Sequence, residues 1–297
     1  EVRGVGFITA DRIAHAMGIR ADSDFRLRAG VIYILTENED KNGHTYMPRD
    51  KLTEAAQELL GEENCARLSD NIDALLLSAG AFGLRSVETE EGEAIMLRSL
   101  YRAEAGAAVK LCRMAECADR ALPDCSEEIS AFERIAGVTF HEEQRTAIKS
   151  ALGGGVSVIT GGPGTGKTTI VRCILSLLTM HGKRVRLMAP TGRAAKRLSD
   201  STGADATTIH RALLSEECEN GITEDAVIVD EFSMVDVRLL YSLLRKLRDE
   251  ATLVIVGDAD QLPSVGAGNA LADIISCGMF PVTFLTHIYR QGEGSGI

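Results

Sequence analysis

Val156-Ser157-Val158-Ile159-Thr160-Gly161-Gly162-Pro163-Gly164-Thr165-Gly166-Lys167-Thr168-Thr169 runs from a β-branched strand through a glycine-rich turn into a helix, KTTIVRCILSLLTMHG. The turn satisfies the pattern GxxxxGK[ST]. Glycines let such a loop wrap with its N–H groups inward, where they and the positive end of the next helix bind phosphate oxygens. The pocket expected from Gly162 to Thr169 therefore suits ATP, with Pro163, Gly164, Thr165, Gly166 and Thr169 in its wall. Lys167 is placed to reach the β- and γ-phosphates, and the Thr168 hydroxyl to hold Mg²⁺. The strand before and the helix after set this segment apart from a chance loop of small residues.

Downstream, the apolar runs RVRLMAP (184–190), AVIVDE (226–231), ATLVIVGD (251–258) and PVTFLT (281–286) alternate with helical stretches. Short apolar runs of this kind predict buried parallel strands in an open α/β sheet, where ligands bind at the carboxyl ends of the strands. Two of those ends carry suitable chemistry. Asp230 and Glu231 lie about 60 residues after the phosphate loop, and adjacent carboxylates can divide the work, Asp230 on Mg²⁺ and Glu231 as the base for the attacking water. Gln261, after the next strand, offers a neutral amide that can meet the γ-phosphate without repulsion. On spacing alone it reads equally well as part of a polar loop.

Upstream the texture changes. ITADRIAHAMGI, FRLRAGVIYILTENE, MPRDKLTEAAQELLG and NCARLSDNIDALLLSAG keep apolar residues at helical spacing, with Gly18, Gly43, Gly61 and Gly80 between or at their ends. A β-hairpin on Glu91-Gly92 is expected next, then a long amphipathic helix, SLYRAEAGAAVKLCRMAECA. The expected domains are a helical one over 1–95, a connector over 96–138, and the α/β domain over 139–297.

The 297 residues carry Lys+Arg 32 against Asp+Glu 43, a formal net charge of −11. Residues 1–139 hold −9 of it and the remainder −2, which argues against a protein coated with basic charge for nucleic acid. The seven cysteines form no CxxC and read as reduced, packed thiols. No apolar run approaches the ~20 residues of a membrane helix, so a cytoplasmic location is expected.

The ordered segments GGPGTGKTT, APTGRAAKRL (189–198), TIHRAL (208–213), VIVDEFSMVD (227–236), GDADQLPSVGAG (257–268) and LTHIYRQ (285–291) resemble the motifs of superfamily 1 helicases of the RecD-like branch. VRGVGFITADRIAHAMGI (2–19) is similar to the helix-hairpin-helix region that precedes their motor. The resemblance implies a RecA-like P-loop NTPase sheet after a mostly helical domain, and an ATP-dependent DNA helicase that moves 5′ to 3′ on single-stranded DNA in recombination and repair. It also implies roles for single residues. Gln144 would read adenine and Arg290 would reach the γ-phosphate. Thr191, Arg193, Thr208 and His210 would line the single-strand track. Gly4 and Gly6 would form a hairpin facing a DNA phosphate. Such motors use two RecA-like domains, and none follows Arg290 here, so a monomeric fragment cut at both ends, with weak turnover, is expected. A P-loop ATPase switch without motor function and a DNA-binding module are the competing readings.

Overall fold

The computed structural model describes residues 6–80, 82–117, 122–215 and 218–288. The chain divides into two compact units. One is Glu1–Ala105 with Val265–Gly268; the other is Gly106–Ser264 with Asn269–Ile297. The boundary falls within one long helix, α5 (Arg98–Glu116). The stretch expected as a connector over 96–138 is thus shared between the units.

In the N-terminal unit, α1 (Phe7–Ala16), α2 (Asp24–Asn42), α3 (Arg49–Leu60) and α4 (Cys65–Leu77) accompany a small antiparallel sheet. Its strands are β1 (Met47–Pro48), β2 (Leu84–Thr89) and β3 (Gly92–Leu97), in the order β1-β3-β2. Helical spacing accounts for the core. Leu27, Val31 and Leu35 of α2, Leu52, Ala56 and Leu60 of α3, and Leu68, Ile72 and Leu75 of α4 recur every three or four residues and are buried together. Helices α2 and α3 approach closely at Gly30, where a Cβ would lie 2.7 Å from the Leu60 methyls. The expected hairpin is present, with Thr89 paired to Gly92 around Glu90-Glu91. Ala267, from the short segment contributed late in the chain, is buried in this same core, and the Gly268 N–H donates to the Gly43 carbonyl at 2.9 Å.

The second unit holds α6 (Ser126–Ala136), α7 (Glu142–Leu152), β4 (Val156–Gly161), α8 (Lys167–Met180), β5 (Val185–Ala189), α9 (Gly192–Thr202), β6 (Ala206–Thr208) and α10 (Ile209–Leu214). It continues with β7 (Ala226–Val229), α11 (Val237–Leu244), β8 (Thr252–Gly257), α12 (Ala270–Ser276) and β9 (Val282–Leu285). The six strands form a parallel sheet in the order β6-β5-β7-β8-β4-β9. Five of them are the apolar runs of the sequence. The sixth, β6, has three residues paired to Leu187–Ala189, too few for a periodic signal.

Both faces of the sheet are covered, which explains why its strands read as unbroken apolar runs. Side chains alternate between the faces. Val227, Val229, Leu253 and Ile255 join one core with α10, α11 and α12, while Ile228, Val254 and Val256 join the other with α7 and α8. Among the described residues no helix is long and apolar enough to cross a membrane.

Candidate active site

The phosphate loop follows β4 and its last residue caps α8. Gly164 and Gly166 adopt φ of +82° and +85°, a region open to glycine at little cost. Space around Gly162 is open, with nothing within 4 Å of where a Cβ would stand. Two residues hold the loop in shape. The buried Thr165 hydroxyl donates to the Gly162 carbonyl at 2.8 Å. The Lys167 ammonium donates to the carbonyls of Gly161 and Gly162, so its charge already lies across the loop mouth.

The polar residues expected at strand ends gather around this loop, because β4, β8 and β7 are sheet neighbours. Asp230 follows β7, and its Oδ1 accepts the Glu231 N–H at 2.9 Å. Burial pushes its carboxyl above the usual carboxylate range, and the neighbouring charge of Glu231 adds to this; the Glu231 N–H, Arg197 and Lys167 act the other way. A half-hidden carboxylate beside a cationic loop is the donor that fits Mg²⁺, an oxygen-seeking ion held by few protein ligands.

Glu231 has φ +52°, the one non-glycine residue with positive φ among those described. For a side chain with a Cβ this region costs about 1–2 kcal/mol, and strain of this kind concentrates at functional positions. The carboxylate is 3.3 Å from the Arg197 guanidinium on α9. The sequence reading missed Arg197; its place in the AAKRL stretch, on a helix leaving an adjacent strand end, was the available signal.

After β8, Gln261 is exposed, and its Nε2 donates to the buried Asp258 carboxylate at 3.2 Å. The Ala259 N–H donates to Thr160 Oγ1 at 3.0 Å, tying the end of β8 to the end of β4. Gln261 is thus bonded to a strand end that is itself tied to the end of β4, where the phosphate loop starts.

Gln144 stands beside the phosphate loop. It is buried, its Nε2 donating to the Thr165 carbonyl at 2.8 Å while its Oε1 accepts the His141 N–H at 3.0 Å. In this arrangement it braces the phosphate loop, with one Nε2 hydrogen and one Oε1 lone pair beyond these two bonds. The same helix holds the end of β9. Thr286 donates from N and Oγ1 to Glu143 at 2.8 and 2.6 Å, which lowers the Glu143 carboxyl, and His141 stacks on His287 with ring centres 4.9 Å apart. Neither contact was foreseen from the sequence. Arg290 lies outside the described residues.

Farther along the sheet edge, Thr191 follows β5 and Thr208 ends β6. Each hydroxyl caps a helix, accepting from Ala194 N and Arg211 N at 3.2 and 3.1 Å. Arg193 and His210, each two residues beyond its cap, are exposed. The four residues expected for a DNA track therefore share the carboxyl edge of β5 and β6, which pair with Ala189 opposite Thr208. Gly4 lies outside the described residues. Gly6 is the N-cap of α1 at φ −67°, its carbonyl accepting from Thr9 and Ala10.

A phosphate loop at the end of an inner parallel strand, an amide beyond the end of the strand beside it and an Asp-Glu pair at the end of the next strand define a P-loop ATPase domain. Residues 139–296 match the AAA domain model, and residues 1–46 match the ATP-dependent RecD2 DNA helicase HHH domain. The chain belongs to the RecD2/RecD-like helicase family. It is 33% identical to the ATP-dependent RecD2 DNA helicase of Deinococcus radiodurans over 100% of its own length and 42% of that protein. It is 40% identical to the RecBCD enzyme subunit RecD of Mycolicibacterium smegmatis, over 59% of this chain and 36% of that one. The chain thus spans about two-fifths of the length of these relatives. A solved structure of Pif1 helicase from Candida albicans is 24% identical with a TM-score of 0.39, covering 52% of this chain and 41% of that one, too slight a likeness to carry an argument.

Proposed function

We propose that this chain supplies the nucleotide-binding half of an ATP-dependent DNA helicase that moves 5′ to 3′ on single-stranded DNA. The reading rests on one arrangement: nucleotide residues at the ends of β4, β7 and β8, and exposed polar residues at the ends of β5 and β6, on the same edge of one sheet. The phosphate loop and Lys167 bind the β- and γ-phosphates. Thr168 and Asp230 hold Mg²⁺, which neutralises charge developing on the transferred phosphoryl group. Glu231 accepts the proton of the attacking water, and Gln261, with Arg290, senses the γ-phosphate. Backbone N–H groups, hydroxyls and an exposed guanidinium suit contacts to a phosphate backbone that ignore sequence.

A near-neutral motor fits this work, since a translocating protein must release its grip in every cycle. The test is ATP hydrolysis with and without single-stranded DNA, followed by strand displacement on substrates tailed at the 5′ or 3′ end. Stimulation by DNA and displacement from the 5′ tail are expected. Hydrolysis indifferent to DNA would favour the ATPase switch, and displacement from the 3′ tail alone would reverse the polarity.

A further inference from the structure

At the end of α8 remote from the phosphate loop, three metal-ligating side chains converge. Cys125 is the N-cap of α6, Glu128 lies on the first turn of that helix, and His181 is the C-cap of α8. One ligand atom from each lies within 4.8 Å of the others, with the buried Cys125 Sγ 3.8 Å from His181 Nε2. Helix α8 has 14 residues, so about 20 Å of helix separates this trio from Lys167.

Hydrogen bonding accounts for only two of the three groups. The Cys125 thiol donates to the Pro123 carbonyl, 3.1 Å away, and its sulfur can accept from a His181 Nε2–H, but neither bond explains why the Glu128 carboxylate converges on the same point. Tetrahedral Zn²⁺, with bonds of about 2.3 Å to sulfur and 2.0–2.1 Å to nitrogen, would set these two atoms about 3.6 Å apart, close to the spacing observed.

Helix polarity favours the same occupant. The N-terminus of α6 favours negative charge on its first turn, where Glu128 lies, while burial and the Glu128 and Asp124 carboxylates push the Cys125 thiol up in the absence of a cation. The carbonyl end of α8 favours a cation next to His181. Sulfur, imidazole and carboxylate together select a borderline-soft ion, whereas Mg²⁺ demands oxygen ligands.

We propose that Cys125, Glu128 and His181 form a Zn²⁺ site with three protein ligands that clamps the start of α6 to the end of the phosphate-loop helix. Binding exchanges the thiol proton for a metal–sulfur bond, so one proton is released to solvent from Cys125.

The test begins with the protein stripped by a chelator and exchanged into metal-free buffer. Zn²⁺ is titrated against a chromogenic chelator, and Co²⁺ is titrated separately and followed by absorption. One tight equivalent of Zn²⁺, a thiolate-to-cobalt charge-transfer band and a higher Tm with Zn²⁺ are expected. Cys125→Ser should abolish the band, and both Cys125→Ser and His181→Asn should weaken Zn²⁺ binding at least tenfold. His181 is only half-buried, so its variant keeps the test open if Cys125→Ser fails to fold. The absence of a thiolate–cobalt band in the unaltered protein overturns the proposal. So does Zn²⁺ affinity unchanged by His181→Asn, which would assign the metal to other groups.

Discussion

The N-terminal unit and the ATPase unit treat their polar groups differently. In the first, charged and amide side chains satisfy one another and the backbone. Arg26 bonds Asp11 and the carbonyls of Ala21 and Leu60, and Asn38 bonds the Tyr46 carbonyl. Positive φ occurs there only at glycines among the described residues. In the second, the polar groups crowd one edge of the sheet, with Glu231 strained, Asp230 burdened by burial and the Ser233 hydroxyl buried without a hydrogen-bond partner among the described residues. Among the described residues Arg98 Nε of the first unit is also buried without a partner, so the contrast lies in strain and carboxylate burial: the first unit is built as a scaffold, and the second holds its strained residue and its burial-burdened carboxylate where chemistry is expected.

The largest effect that would break this contrast lies at the phosphate loop. Lys167→Ala should reduce ATP turnover by roughly 10²–10³-fold, the scale for removing one preorganised donor to developing charge. Glu231→Gln should stop hydrolysis while a fluorescent ATP analogue still binds. If Glu231→Gln turns over normally, the strained residue is not the base.

Next is a packing test in α5. A Cβ at Gly106 would overlap the Tyr241 ring on α11, so Gly106→Leu should destabilise the ATPase unit by about 1–3 kcal/mol, read as a lower Tm in calorimetry. Smaller still, Arg26→Gln removes the Arg26–Asp11 pair at 2.7 Å. It should cost about 1 kcal/mol, because both partners are mostly withdrawn from water, and leave nucleotide affinity unchanged. A loss of affinity would show that the N-terminal unit is more than a scaffold.

The smallest effect has the opposite sign. Burial raises the Asp230 carboxyl, so its contribution to stability is fully present below the ordinary carboxylate range and is lost as pH rises through the raised value. Asp230→Asn should therefore raise the Tm of the nucleotide-free protein at neutral pH and lose that advantage on acidification, while weakening Mg²⁺-dependent turnover. A variant less stable at neutral pH would remove Asp230 from the strained set.

Much of the ATPase unit was legible because its signals are local. A strand, a glycine-rich turn and a helix start follow one another within 156–169, Asp230 and Glu231 directly follow an apolar run, and Gln261 lies four residues after the end of another. Strand β6 escaped notice because three residues have no period, and Arg197 because its partner, Glu231, is 34 residues away. The hydrogen bonds of Gln144 were out of reach for a similar reason: the adenine role is implied by family resemblance, whereas its bond to the Thr165 carbonyl depends on where that carbonyl points, 21 residues away.

The sequence by itself determined the class of the longer elements and the phosphate loop, since periodicity and turn chemistry act over a few residues. Tertiary structure alone decided the strand order β6-β5-β7-β8-β4-β9, the entry of Ala267 into the N-terminal core and the meeting of Cys125 with His181. Those outcomes follow from which distant surfaces bury each other best, a competition among non-local contacts that no short stretch of chain records.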